Sequence, residues 1–538
     1  MPKATLATPK VTVRLFKSIT RKVGDAGLSV SERYAQKSDA IDITPFLGDG
    51  SSITTDKDIG QPAGTFNLTF SDQPNATGVQ LMNNPVTKQT LETIYGLVEP
   101  QDIIEIRMWG GQGTYSRKEL PIVMRGVVTN ITRKREMTQT GAPVRTVIIS
   151  GQDYGKVLLT YQILYLPGYT GSSPLLTGYN AYELFGDQQR NTITAGDFLD
   201  VMLSKVINPL LGKLIPPNSK MPKVIVPDNQ GVEGLLNNSY SNTEGSVMDL
   251  LNQHLDIGTF NEIFIEDRED GVYLVLRPRP YFDMATGKST QPLLYDVRMG
   301  SVPDDHIVSM EQTRNDQEVY NFYWITAQRF DVCDDITRRL ESYAANDKTV
   351  NMGDYSNSHA DYYGIRALYV DTVLAPPDVM NMTSGQAQQE QDTRAGDIVK
   401  WVQNRRKIMV DNNKDNVVME TGMMSIKGGP VRAGSTELLR AGDYITVFDG
   451  QLEWTAYVTG VSHNFIPYQG YTTTLKFERG TGFNMRVSTE GGYSPWLSEQ
   501  ATRKSDNDLV TSLINELADP SRFKPSSAIS KSLAGAKK

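Results

Sequence analysis

Between residues 11 and 155, apolar and polar positions alternate in short runs. VTVRLFKS, AGTFNLTFSD, DIIEIRMWG, PIVMRGVVTNITR and PVRTVIISG are rich in β-branched residues and are parted by clusters of Gly, Pro, Asn and Asp. That is the pattern of half-buried strands. Only KQTLETIYGLV leans towards helical period. A succession of short strands predicts a barrel or a sandwich.

The character changes near Tyr161, where a loop rich in Gly, Ser, Tyr and Leu begins. A helix is predicted over 195–211, with Thr194 as N-cap and Phe198, Met202, Val206 and Leu210 as its apolar stripe. A second is predicted over 244–255, with Val247, Leu250, Leu251 and Leu255 on one face. FNEIFIEDREDGVYLVLRPRP then reads as a hairpin turning at Asp270-Gly271. Strands resume at HIVSMEQTRNDQEVYNFYWITAQ. A polar stretch interrupts them at 330–380, a long helix over 385–411 follows, and strands return from Val417 to Phe483. Beyond these, SDNDLVTSLINELADP predicts an amphipathic helix whose stripe is Leu509, Val510, Leu513, Ile514 and Leu517. That stripe could fold back on its own chain or dock on a neighbour.

One pattern occurs twice. GAPVRTVIISG, from Gly141 to Gly151, matches GYTTTLKFERG, from Gly470 to Gly480. Upstream, GVVTNI at Gly126 matches GVSHNF at Gly460, and PQDIIEI around Asp102 matches AGDYITV around Asp443. The order is the same in both, and the spacing differs only in loops, where insertions are tolerated. More weakly, SSITTDKD before AGTFNLTF resembles HIVSMEQTRND before YNFYWIT. The chain is therefore expected to hold two copies of one β-barrel, the second split by an insertion. On this alignment His463 corresponds to Thr129, and a structural histidine at a strand end is the expectation.

Composition narrows the function classes. At 538 residues the chain exceeds one hydrophobic core. Its net charge of −8 argues against tight binding of a phosphate backbone, which needs clustered cations. The single cysteine, Cys333, excludes an intramolecular disulfide framework and suggests folding in a reducing compartment. The first residues lack the apolar core of a signal peptide, and no apolar run is long enough for a membrane span. GGQGTYS at Gly110 lacks the Lys-Ser or Lys-Thr ending of a phosphate loop. Arg133 to Arg135 read as a solvated hairpin tip, and Asp334 and Asp335 as a turn. The four histidines are far apart and no metal-binding spacing occurs. No catalytic residue, cofactor or metal site is expected.

LRAGDYITV, YVTGVSHNF and YTTTLKFERG together resemble the last barrel segment of contractile phage baseplate hub proteins, the late control protein D-like family. They are also similar to the hub part of type VI secretion spike proteins. GTFNLTFSD, PQDIIEIRM and MRGVVTNI resemble the family's first barrel, and RPRP after its hairpin resembles the middle module. The likeness covers most of 40–160 and 245–485. It implies a β-rich α+β fold with two tube-protein-like β-barrels, an α/β middle module and a polar insertion. The expected domains are a first barrel with an N-terminal arm (1–158), the middle module (159–285) and a second, discontinuous barrel (286–330 and 416–485). To these the reading adds the insertion with its long helix (331–415) and a tail with an amphipathic helix (486–538).

The resemblance implies a homotrimer whose six barrels face the hexameric tail tube while its threefold face holds the central spike. Other baseplate proteins and the tape-measure protein are further candidate partners. Genomic DNA would cross the lumen without specific binding. The implied location is the virion tail baseplate, assembled in the host cytoplasm. Two alternatives remain: a tail-associated cell-wall-degrading enzyme, and the hub of a secretion-system spike.

Overall fold

The computed structural model describes residues 9–480, except 19–39, 73–92, 111–118, 138–140, 142, 165–192, 216–218, 237–243, 284–287, 292, 328–354, 375–388, 433–436 and 450–451. The described chain is strongly β-rich. Its strands in chain order begin with β1 (Lys10–Phe16), β2 (Ile41–Asp42), β3 (Ser52–Asp58), β4 (Thr65–Ser71), β5 (Ile103–Trp109), β6 (Ile122–Met137) and β7 (Pro143–Asp153). The middle of the chain supplies β8 (Gln162–Ile163), β9 (Ile193–Thr194), β10 (Ile225–Asn229), β11 (Leu235–Leu236), β12 (Gly245–Ser246), β13 (Asn261–Arg268) and β14 (Gly271–Pro278). There follow β15 (Met299–Val302), β16 (Ile307–Thr313), β17 (Phe322–Ala327), β18 (Ala367–Thr372), β19 (Glu420–Lys427), β20 (Tyr444–Asp449), β21 (Leu452–Ile466) and β22 (Gly470–Gly480).

Thirteen of these form one sheet in the order β16-β19-β22-β21-β3-β4-β7-β6-β5-β1-β2, with β20 added on β21 and β15 on β20. Period-two alternation gives the sheet two unlike faces. Ile53, Phe66, Leu68, Ile149, Val461, Phe465 and Leu475 are buried on one face. Thr54, Thr69, Ser150, Ser462, Asn464, Thr472 and Thr474 lie on the other and are only partly covered. The buried face carries two apolar clusters. One is built around Leu68, Phe70, Ile104 and Ile149, the other around Met424, Ile445, Val458 and Leu475.

The middle segment is a separate layer. The β13–β14 hairpin turns at Asp270-Gly271, and β10 adds to it in parallel. Two helical stretches pack over this sheet through Phe198, Met202, Val206, Leu250 and Leu251. Thr194 caps the first by accepting from the Asp197 backbone N–H. That stretch runs to Leu214 and passes through a π-helical segment at Met202–Ile207. Ser246 and Asp249 form a reciprocal capping box on the second, Val247–His254. The long helix spans Gln389–Asn413. Its Val402, Met409 and Val410 pack with Tyr323, Ile325 and Phe260.

Two groups of strands share one wiring. The path β5-β6-β7-β4-β3 has the same antiparallel neighbours as β20-β21-β22-β19-β16. Both long strands shift register at the same place, β6 between Val128 and Asn130, β21 between Val458 and Gly460. The equivalence holds residue by residue: Gly151 opposite Val128 occupies the place of Phe477 opposite Val458. Hydrogen bonding therefore matches Asn130, not Gly126, with Gly460, and matches His463 with Arg133, not Thr129. Gly126 itself corresponds to Ala456, since Ile104↔Gly126 mirrors Ile445↔Ala456. The strand equivalent to β4 is β19 rather than YNFYWIT; β17 pairs in parallel with β18 in a sheet of its own. The groups differ at the next position outwards. There β1 lies antiparallel to β5, but β15 lies parallel to β20.

A glycine–phenylalanine exchange explains why the sequence alignment slips. Phe66 of β4 stands opposite Gly151 of β7, and Phe477 of β22 stands opposite Gly422 of β19. Each pair lays one ring over one glycine, but the partners have swapped strands. A Cβ on Gly151 would lie 2.3 Å from the Val127 carbonyl oxygen and 2.4 Å from the Phe66 ring. On Gly422 it would lie 1.9 Å from the Glu311 carbonyl oxygen. Matching glycines in the sequence therefore misaligns the two groups. Gly151→Ala and Gly422→Ala should each cost about 1–3 kcal/mol through overpacking. Urea unfolding would show this as a lower midpoint at unchanged slope.

Candidate assembly interface

The two strand groups meet at one ladder. β21 pairs antiparallel with β3 from Gly460↔Asp58 to Phe465↔Ile53. The first half of β21 pairs with β20 and the second half with β3, while β22 runs along its other edge. One strand thus belongs to its own group at one end and bridges to the next group at the other.

Each group is closed at the start of its long strand by the same turn. Gln101 and Gly442 both have positive φ, 71° and 90°. Their N–H groups donate to the Val128 and Val458 carbonyls at 2.7 and 2.8 Å. In return, the Val128 and Val458 N–H groups donate to the Asp102 and Asp443 carbonyls at 2.8 and 2.9 Å. The two aspartates also use their side chains alike. Asp102 accepts from the Glu99 N–H and pairs with Lys17; Asp443 accepts from the Arg440 N–H and pairs with Arg432.

The β13–β14 hairpin ties this wall to the middle layer by ion pairs and by hydrogen bonds from charged side chains. Arg125 of β6 donates to the Arg268 and Gly271 carbonyls at 2.7 and 3.1 Å, and Arg107 of β5 pairs with Glu269 at 2.9 Å. Towards the other group, Arg277 of β14 pairs with Glu262 of β13 at 2.6 Å and donates across to the Gly442 carbonyl. Tyr457 donates to the same Glu262. Burial opposes the charge on Glu266, but Arg440, Arg432, Arg298 and Arg268 outweigh it and hold the carboxyl well below its usual range. At the ladder itself Lys57 reaches Asp267 at 2.6 Å and Asp153 at 3.3 Å. Burial works against its ammonium, and the two carboxylates override that and raise its pKa. Charges buried in this way are satisfied only in one relative placement of the layers, so they fix geometry more than they add stability.

His463 lies in the ladder opposite Thr55. The Tyr471 and Thr473 hydroxyls stand 2.8 and 3.0 Å from its Nδ1. Burial lowers its pKa to about 4, so the ring is neutral and structural.

The other residues singled out in the sequence fall in several places. Gly126, Gly151 and Gly460 are inside strands, Gly470 and Gly480 bound β22, and Gly141 turns between β6 and β7 with φ of 78°. Leu509, Val510, Leu513, Ile514 and Leu517, together with Cys333, Asp334 and Asp335, lie outside the described residues. Among the described residues no group of three or more His, Cys, Asp or Glu side chains could hold a metal ion. No helix there is long and apolar enough to cross a membrane. The ionic role of the hairpin was missed by sequence reasoning. The alternation of Glu262, Glu266, Arg268 and Arg277 with apolar residues was its visible signal.

No protein-family model matches the chain, and no curated protein sequence does. Solved structures are similar in the path of the chain. The tail protein from Neisseria meningitidis MC58 superposes with a TM-score of 0.40 at 12% identity, over 87% of this chain and 96% of that one. The 43 kDa tail protein of prophage MuSo2 from Shewanella oneidensis gives 0.42 at 11%, over 89% and 100%. A chain of the Francisella PdpA–VgrG complex gives 0.39 at 9%, over 91% of this chain and 56% of that one.

The buried imidazole makes a pH prediction. In the unfolded chain His463 titrates near 6.5, and in the fold near 4. The unfolded state therefore binds more protons between these values, and stability falls as pH drops from 6.5 towards 4. The loss from this group is on the order of 3 kcal/mol. His463→Gln should flatten the fall of the unfolding midpoint over that window, measured by urea titration at stepped pH.

Proposed function

We propose that this chain is the structural hub of a contractile phage tail baseplate. In this reading each strand group is one tube-protein-like barrel, and three copies form a ring of six. The ring presents six similar faces to the hexameric tail tube and a threefold face to the central spike. The observation that carries the reading is the shared wiring of the two strand groups, fused edge to edge in one sheet. Two like units per chain let a trimer satisfy a sixfold neighbour, because a closed ring requires matching surfaces all round. The sequence resemblance to hub proteins supports the same reading.

The partly covered face of the sheet is proposed as the wall of the channel. It is lined by hydroxyls and amides, among them Thr54, Asn67, Ser150, Ser462, Asn464 and Thr474, and by charges of both signs, among them Asp56, Asp58, Lys134, Glu311 and Lys476. Tight, salt-dependent binding of a phosphate backbone comes from Lys and Arg. A wall of hydroxyls and amides, on which lysines are interspersed with carboxylates such as the Asp58 that pairs with Lys476, instead lets a polyanion pass. The role is templating and mechanical, with no catalytic step or cofactor. Tube, spike, other baseplate proteins and tape-measure protein are the proposed partners, and the virion baseplate, assembled in the host cytoplasm, the proposed location. The stripe Leu509, Val510, Leu513, Ile514 and Leu517 is proposed as a docking element.

Light scattering should give a mass of three chains, alone or once the spike partner is added. A chain that remains a monomer with the spike present would overturn the reading. So would release of soluble fragments from peptidoglycan by the purified protein, which would favour the tail-enzyme alternative.

A further inference from the structure

The sheet has two ends, and the internal junction shows how they fit. Within the chain, the second half of β21 pairs with β3. The strand equivalent to β21 is β6, and the strand equivalent to β3 is β16. Among the described residues, both keep the corresponding edge unpaired. β16 pairs with β19 alone, and β6 beyond Val128 pairs with β7 alone. Long bare edges of this kind invite pairing with another chain.

We propose that β16 of one copy adds antiparallel to the distal half of β6 of the next copy, in the register of the β21–β3 ladder. This rests on the ring reading above and adds which edges meet and in what alignment. Gly460 corresponds to Asn130, and Thr55 to Gln312, through their shared pairing with the neighbouring strands. Carrying the ladder across sets Thr132 opposite Thr313 and Lys134 opposite Glu311.

Neither of these pairs was used to set the register, yet each is complementary. Lys134 and Glu311 are exposed and of opposite charge, and they fall on the polar face, as their equivalents Asn464 and Thr54 do. Opposite charges and apolar side chains directly across a strand pair stabilise it, and like charges destabilise it. A shift of one residue would put Lys134 and Glu311 on opposite faces.

The full chain, with Cys333→Ser to remove its one thiol, tests the proposal by paired cysteines. Lys134→Cys with Glu311→Cys should give, on mild oxidation, bands of two and three linked chains on a non-reducing gel. Lys134→Cys with Gln312→Cys, whose side chains point to opposite faces, should give at least about tenfold less. Independently, Lys134→Glu and Glu311→Lys should each weaken self-association about tenfold or more in sedimentation, and the double swap should restore it. Trimers that form without the first cross-link, and that ignore both charge reversals, would overturn this edge pairing while leaving the ring reading intact. Absence of any oligomer, with the spike partner present, would overturn both.

Discussion

The six-residue ladder between β3 and β21 is the constraint on which the rest of the structure depends. Without it the two strand groups would be held together only through the middle layer. With it, their backbone hydrogen bonds run through one wall, and a rotation of either group would leave strand edges unpaired. Lys57 closes the lock from the side. It sits on β3, within the ladder, and its two carboxylate partners come from β7 and from the β13 hairpin. A single ammonium thereby ties the junction, the first strand group and the middle layer together.

The hairpin β13–β14 serves both groups by different chemistry at its two ends. Its tip offers backbone carbonyls to Arg125 and a carboxylate to Arg107. Its stem offers Glu262 and Glu266 to tyrosine and arginine side chains around the second group. The cost of burying these charges is met by pairing each of them, and the pairs are lost if the layers slide. The wall is therefore rigid where it meets the middle layer. Its other face carries hydroxyl, amide and charged side chains that are only partly covered.

Much of this was legible in the sequence because strands half-buried in a wall alternate strictly. The strands β1, β4, β5, β6 and β7 follow the quoted runs, and the caps at Thr194 and the turn at Asp270-Gly271 follow from local chemistry. The turn aspartates Asp102 and Asp443 were legible as a pair, and the structure gives both the same backbone hydrogen bonds. The register between the two groups was not legible. In the sequence glycine aligns with glycine, whereas the packing needs one glycine and one phenylalanine per cross-strand pair, and either strand can supply either. β17 was misplaced for a similar reason. Its alternation is that of a sheet strand, but its partner β18 is distant in sequence and parallel, and no local pattern reports a parallel partner. The interlayer ion pairs were hidden because each joins residues far apart along the chain.

The central claim is that one chain supplies two equivalent units, so that three chains reproduce a sixfold. An image of the assembled particle projected along its axis tests this most directly. The account predicts threefold symmetry with six inner lobes of similar density around an open channel. Three lobes, or a ring whose six lobes fall into two dissimilar sets, would contradict it.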